Sequence, residues 1–172
     1  MLAELRTFHL LEQILSFSII DINKKTVKDK DVDLIISSDT TTVYIEVYAN
    51  NEALRGRTAN QRDAKLERTL KHGLEKFLNN ECNLAVLADE DLSSINNDFD
   101  FLHNDRYMAT IFNGSIVNNL ERVSGVIILN QSGHLDESRG YKYTFAVNPS
   151  ANRKIPPKLL EVLKSNGFLV EP

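Results

Sequence analysis

Residues 31–49 read DVDLIISSDTTTVYIEVYA, and the fold follows from how this stretch pairs with itself. DLIIS and TVYIEVY are rich in β-branched and aromatic residues, and the polar SSDTTT between them is turn-like, so the spacing predicts a two-stranded hairpin. A tight turn centred on Asp39-Thr40 sets Ser38 opposite Thr41 and Asp33 opposite Glu46. Directly opposed residues of an antiparallel pair share a face, with Cβ atoms roughly 4.5–5.5 Å apart. Two carboxylates so placed repel each other and are costly among apolar neighbours unless something neutralises them. A divalent cation is one solution, since hard cations take oxygen ligands, commonly one or two carboxylates. The competing reading is that Asp33 opens its strand and Glu46 points to solvent. A one-residue slip would also separate the acids. Asp31 shares the parity of Asp33 and is a fallback ligand.

Working outward, residues 2–15 carry Leu2, Leu5, Phe8, Leu11 and Leu15 at helical spacing. SFSIIDI, about 16–22, suits a first strand, and the hairpin strands fall at about 32–37 and 42–49. A long helix is expected from about Asn60 to Asn79, with Leu66, Leu70, Leu74, Phe77 and Leu78 as its buried stripe. CNLAVLA is a short apolar strand of the interior kind. The stretch from Asp89 to Gly114 is mixed and receives no assignment beyond a short helix and a loop. VSGVIILNQ and YKYTFAV read as two further strands. PPKLLEVLKSNGF reads as a helix with prolines at its start and Asn166-Gly167 at its end. A meander followed by a crossover helix into a strand predicts an α/β protein with a mixed sheet flanked by helices.

The chain of 172 residues is long enough for one domain, 1–172, with a sizeable core. Its single cysteine, Cys82, excludes an intrachain disulfide and a cysteine-rich zinc site. With no membrane-length apolar run and no basic-then-apolar leader pattern, a cytoplasmic protein is expected, without a membrane partner. His9, His72, His103 and His134 have no ligand-type spacing. Gly-rich phosphate loops and nucleophile elbows are absent.

Net charge is −4, yet from Arg55 to Lys76 seven basic residues face three acids, leaving that segment at +4 and the rest at −8. On a wheel of ~100° per residue, Arg62, Lys65, Thr69, His72 and Lys76 form one stripe beside the apolar face, uninterrupted by an acid. Such a stripe can be a rim of long side chains covering apolar surface. It can equally receive nucleic-acid phosphates. Carboxylates with metal beside a row of cations are what phosphodiester hydrolysis requires.

On these residues the chain resembles the restriction-endonuclease-like, or PD-(D/E)XK, nuclease superfamily. The element order of residues 2–90 is similar to that family's α-β-β-β-α-β core, followed here by C-terminal strands and a helix. Asp33 matches the first motif acid and Glu46 the second, within Ile45-Glu46-Val47-Tyr48. The tail, with a strand before Asn148-Pro149-Ser150-Ala151 and a Pro-rich helix start, also looks like that of bacterial members. The resemblance implies a magnesium or manganese ion held by Asp33, Glu46 and the Val47 carbonyl, with Glu12 of the first helix as a further acid. It implies DNA as substrate, bound along the basic stripe. Two departures stand out: Val32 replaces the motif proline, and Tyr48 the motif lysine. A phenol is no permanent cation. Either the cation has migrated to the helix, with Lys65 first and Arg62 and Lys71 behind it while Tyr48 donates a hydrogen bond, or the fold survives as a binding module. A third expectation is an interaction domain, a homodimer joined through VSGVIIL or the C-terminal helix.

Overall fold

Ser38 pairs with Thr41 across the hairpin, and the register runs through Ile36↔Val43 to Leu34↔Ile45. The structure, a computed structural model, describes residues 2–25, 31–38, 40–50, 71, 73–89, 112, 120–129 and 143–170. An α-helix, α1 (Leu2–His9), runs into a π-helical turn, Leu10–Ile14. Then come strands β1 (Ile19–Lys25), β2 (Asp31–Ser38), β3 (Thr41–Asn50) and β4 (Cys82–Asp89). A 3-10 turn at Leu120–Arg122 precedes β5 (Gly125–Leu129) and β6 (Tyr143–Val147). A second described α-helix, α2 (Pro157–Asn166), and the two-residue β7 (Phe168–Leu169) complete the described chain.

The seven strands form one sheet in sequence order. β1, β2 and β3 are antiparallel, β4 lies parallel to β3 and β5 to β4, β6 is antiparallel to β5, and β7 is parallel to β6. The chain is therefore α/β with a mixed sheet, as its element order predicts.

Strand alternation sends successive side chains to opposite faces, and each face has its own core. Leu34, Ile36, Val43, Ile45, Leu84, Val86 and Ile127 pack on one side with Leu10 and Leu11 near the end of α1 and Leu159 and Leu163 of α2. Ala85, Leu87, Val126 and Ile128 pack on the other with Leu74, Phe77, Leu120 and Val123. Burial of each large apolar side chain contributes about 1.5–3 kcal/mol, so both layers hold the sheet. All five β5 residues are buried, and Leu159 and Leu163 are wholly buried too. The apolar residues of VSGVIIL and of the inner face of α2 are thus taken up by this chain's own core. Those residues therefore give the expected homodimer no support.

Several boundaries differ from expectation for local reasons. The first helix widens into a π turn, in which the Leu15 N–H donates to the Leu10 carbonyl at 2.9 Å. Ser16 closes it at φ 56°, so β1 starts at Ile19 rather than Ser16. The expected 60–79 helix is described only at its end: Lys71, Gly73 and Leu74 are helical, and Glu75 and Lys76 already turn. Its predicted end at Asn79 is too late. α2 starts on Pro157 at its first position, after an extended Pro156. It stops at Gly167, which is extended rather than left-handed (φ −135°, ψ 170°). What requires glycine there is the Tyr143 ring, 2.1 Å from where a Cβ would stand. Among the described residues no helix is long and apolar enough to cross a membrane.

Buried amides tie the connections where β4 and β5 begin. The Asn83 side-chain amide donates to the carbonyls of Leu78 and Arg122, each at 2.8 Å. That of Asn148 donates to Leu120 and Val123, also at 2.8 Å each, while its oxygen accepts the Ser150 N–H. The Asn-Pro-Ser-Ala segment of the tail thus holds the 3-10 turn in place.

Candidate carboxylate–lysine site

β2 and β3 part company beyond Leu34↔Ile45, although β2 keeps its pairing with β1 down to Lys25↔Asp31. One step further along the same register stand Asp33 and Glu46. In place of a β2 carbonyl, the Val47 N–H finds the Asp33 carboxylate, at 2.7 Å to Oδ2. A strand residue's N–H and C=O point to the same side, so the Val47 carbonyl faces the same gap. The separation of the strands thus fixes one carboxylate on the Val47 N–H.

Parity puts Asp33, Glu46 and Tyr48 on the face that carries Leu74 and Phe77. There the chain leaves its helical turn at Gly73, the Lys76 N–H donating to the Gly73 carbonyl at 2.9 Å. The Lys76 ammonium forms an ion pair with Glu46 Oε1. Glu46 is only 2 % exposed, and its second oxygen, Oε2, is buried with no hydrogen-bond partner. The Lys76 side chain remains 33 % exposed.

Burial dominates the electrostatics. It pushes the Glu46 carboxyl up to about 7, opposed by the Lys76 ammonium and reinforced by Asp33. Asp33 is also raised, chiefly by burial, while the Val47 N–H and Lys76 pull it down and Glu4 pushes it up. The two acids thus share a poorly solvated spot in which a cation is strongly favoured.

Tyr48 lies on the Glu46 face, as strand parity requires, and packs there. Its ring lies against Gly73, where an added Cβ would stand 1.1 Å from the phenolic oxygen and 2.2 Å from the ring carbon bearing it. The hydroxyl is buried and has no hydrogen-bond partner. Burial, then the fields of Glu46 and Asp33, push its ionisation upward, so it stays a neutral phenol. Tyr48 packs the 71–77 segment onto the sheet.

Of the expected basic stripe, Lys76 is described and meets a carboxylate rather than open solvent. Arg62, Lys65, Thr69 and His72 lie outside the described residues, as does Asp39 of the turn. Lys71 is exposed. Glu12 sits half-buried in the π-helical turn, eight residues or about 12 Å of helix from Glu4. Glu4, the first-helix acid whose field raises Asp33, is missed by sequence reasoning, because its nearness depends on how α1 lies across β3. Among the described residues no group of three or more His, Cys, Asp or Glu side chains is gathered for a metal. Among the described residues, the acids brought together here are Asp33 and Glu46. Cys82 is buried, and burial pushes its thiol up to about 11, so it is no nucleophile at neutral pH. Comparison with models of protein families, with curated proteins and with solved structures found no match.

Proposed function

We propose that the chain is a restriction-endonuclease-like, metal-dependent nuclease that hydrolyses phosphodiester bonds in DNA, with Asp33, Glu46 and Lys76 at its centre. The observation that carries this reading is the convergence of two acids, the buried Glu46, whose Oε2 no backbone or basic group reaches, and the half-buried Asp33, whose carboxyl can share only a proton with it. Unpartnered buried acceptors are rare and call for a ligand or an ion. Asp33 and Glu46, with the Val47 carbonyl, make an all-oxygen donor set of the kind magnesium or manganese accepts. When bound, such an ion polarises a phosphoryl oxygen and makes water a better nucleophile at neutral pH.

The chain's own residues supply the rest. The Val47 N–H holds the Asp33 carboxylate in one orientation, and the strand backbone holds Glu46. Lys76 brings the permanent cation that position 48 lacks and offsets charge growing on the phosphate, an effect worth about 10²–10³ in rate for a comparable donor. Tyr48 keeps the Lys76 turn against the sheet. The basic residues from Arg55 to Lys71 are proposed to position the DNA backbone.

A second reading draws on the same ion pair. Lys76 already neutralises Glu46, as in a structural salt bridge, and the chain would then be a non-catalytic binding module. Incubation of purified protein with plasmid DNA and manganese separates the two. The nuclease reading expects nicking that Asp33→Asn and Glu46→Ala abolish, with circular dichroism unchanged, and that Lys76→Met slows about 100-fold, in keeping with that rate range. Undiminished nicking by Glu46→Ala would refute it. Absence of nicking, with DNA affinity that falls as salt rises, would favour the second.

A further inference from the structure

We propose that Lys76 is the resting counter-ion of this site, and that a divalent cation enters only by exchanging for its ammonium, which metal loading then releases toward phosphate. The inference rests on the reading of Asp33 and Glu46 as a metal-holding pair, and concerns what occupies that pair beforehand. Glu46 is almost sealed from solvent, so water screens its charge poorly, and when it is ionised the counter-charge in place is the Lys76 ammonium on one of its two oxygens. A metal on Glu46 would face that ammonium across a few ångströms of poorly screened space, where like charges repel far more than in water. One partner must leave.

The geometry points to which. Glu46 is fixed in the middle of β3, flanked by Ile45, paired to Leu34 and Leu84, and by Val47, bonded to Asp33. Lys76 stands in a turn after the last helical residue, with a third of its side chain in solvent. Its four-carbon stem can swing outward with no backbone change. Leaving Glu46 also frees the cation for the role assigned to it above. Loading and phosphate capture thereby become ordered: an ammonium tied to a carboxylate is a poor phosphate ligand until the metal displaces it.

Manganese alone, titrated into the full chain and followed by loss of the free-ion paramagnetic resonance signal, tests the exchange. Lys76→Met should bind manganese at least tenfold more tightly than the wild type, and Lys76→Arg, which keeps a competing cation, should not. A second measurement uses the unmodified chain, so it holds even if Lys76→Met misfolds. Reductive methylation of Lys76, read by mass spectrometry, should speed up several-fold at saturating manganese in the wild type and not in Asp33→Asn. Equal or weaker binding by a folded Lys76→Met, or methylation indifferent to bound manganese, overturns the exchange while leaving the metal site standing. Failure of both wild type and Lys76→Met to bind manganese overturns the metal site and the exchange together.

Discussion

Replacing Glu46 with Gln removes a buried carboxyl whose ionisation the native state resists, and the consequence for stability can be worked out with its sign. In the fold the Glu46 carboxyl titrates at about 7, against an ordinary 4.5. Between those values the folded protein keeps a proton that the unfolded chain gives up. The contribution of Glu46 to stability is therefore fully present below pH 4.5 and falls as pH rises to 7, at about 1.4 kcal/mol per pH unit. The whole fall amounts to about 3 kcal/mol, and Asp33, also raised, contributes in the same direction in both proteins. A Gln side chain fills the same space and cannot ionise. Urea denaturation of wild type and Glu46→Gln from pH 4.5 to 8 measures the difference directly. The wild type should lose about 3 kcal/mol relative to the variant across that range, with the change complete near pH 8. Parallel profiles would mean that Glu46 is solvated and the sealed site does not exist. A difference of opposite sign would mean that the attraction of Lys76 outweighs the cost of burial.

Gly73→Ala should lower stability by about 1–3 kcal/mol, the usual cost of overpacking, because its Cβ would stand where the Tyr48 hydroxyl is. The paired change Gly73→Ala with Tyr48→Leu should recover part of that loss in the same denaturation assay, and no recovery would locate the strain elsewhere. Asn148→Ala should cost about 2–4 kcal/mol, since it leaves the Leu120 and Val123 carbonyls and the Ser150 N–H without their partner. A melting temperature within a degree of wild type would show that water replaces the amide.

The hairpin was legible because two independent signals agreed. Alternation fixed the faces, and a two-residue turn at Asp39-Thr40 fixed the register that the observed Ser38↔Thr41 pair follows. β4 was legible as an interior strand from its unbroken apolar run, and β5 and β6 were legible as strands from their β-branched and aromatic composition. Where sequence reading failed, the missing information was tertiary or conformational. β1 begins late because a π turn and the left-handed Ser16 take up residues that local propensity gives to a strand. β7 is two residues long and exists only because β6 receives it. The acid pair was visible from the pairing of neighbouring strands, and helical periodicity put Lys76 on the basic stripe, but which member of that stripe meets Glu46, and the nearness of Glu4 to Asp33, depend on how separate elements pack.

The neutral Tyr48 on the strand and the Lys76 cation beside Glu46 follow from one local arrangement. Position 48 shares the face of Glu46 by strand parity, so its side chain decides how closely the crossing segment can approach. An aromatic ring there needs a flat surface, which Gly73 provides by presenting no Cβ. Docked on that ring, the segment turns at Glu75 and Lys76 instead of continuing its helix, with Leu74 and Phe77 buried on either side of the turn. Two buried apolar side chains three residues apart leave little rotational freedom to what lies between them, and Lys76 is thereby directed at the Glu46 carboxylate. A lysine at position 48 would set a second ammonium beside the first and lose the ring that seats the turn. The neutral phenol and the remote cation are therefore a matched pair: the ring sets the distance, and the turn it seats delivers the charge.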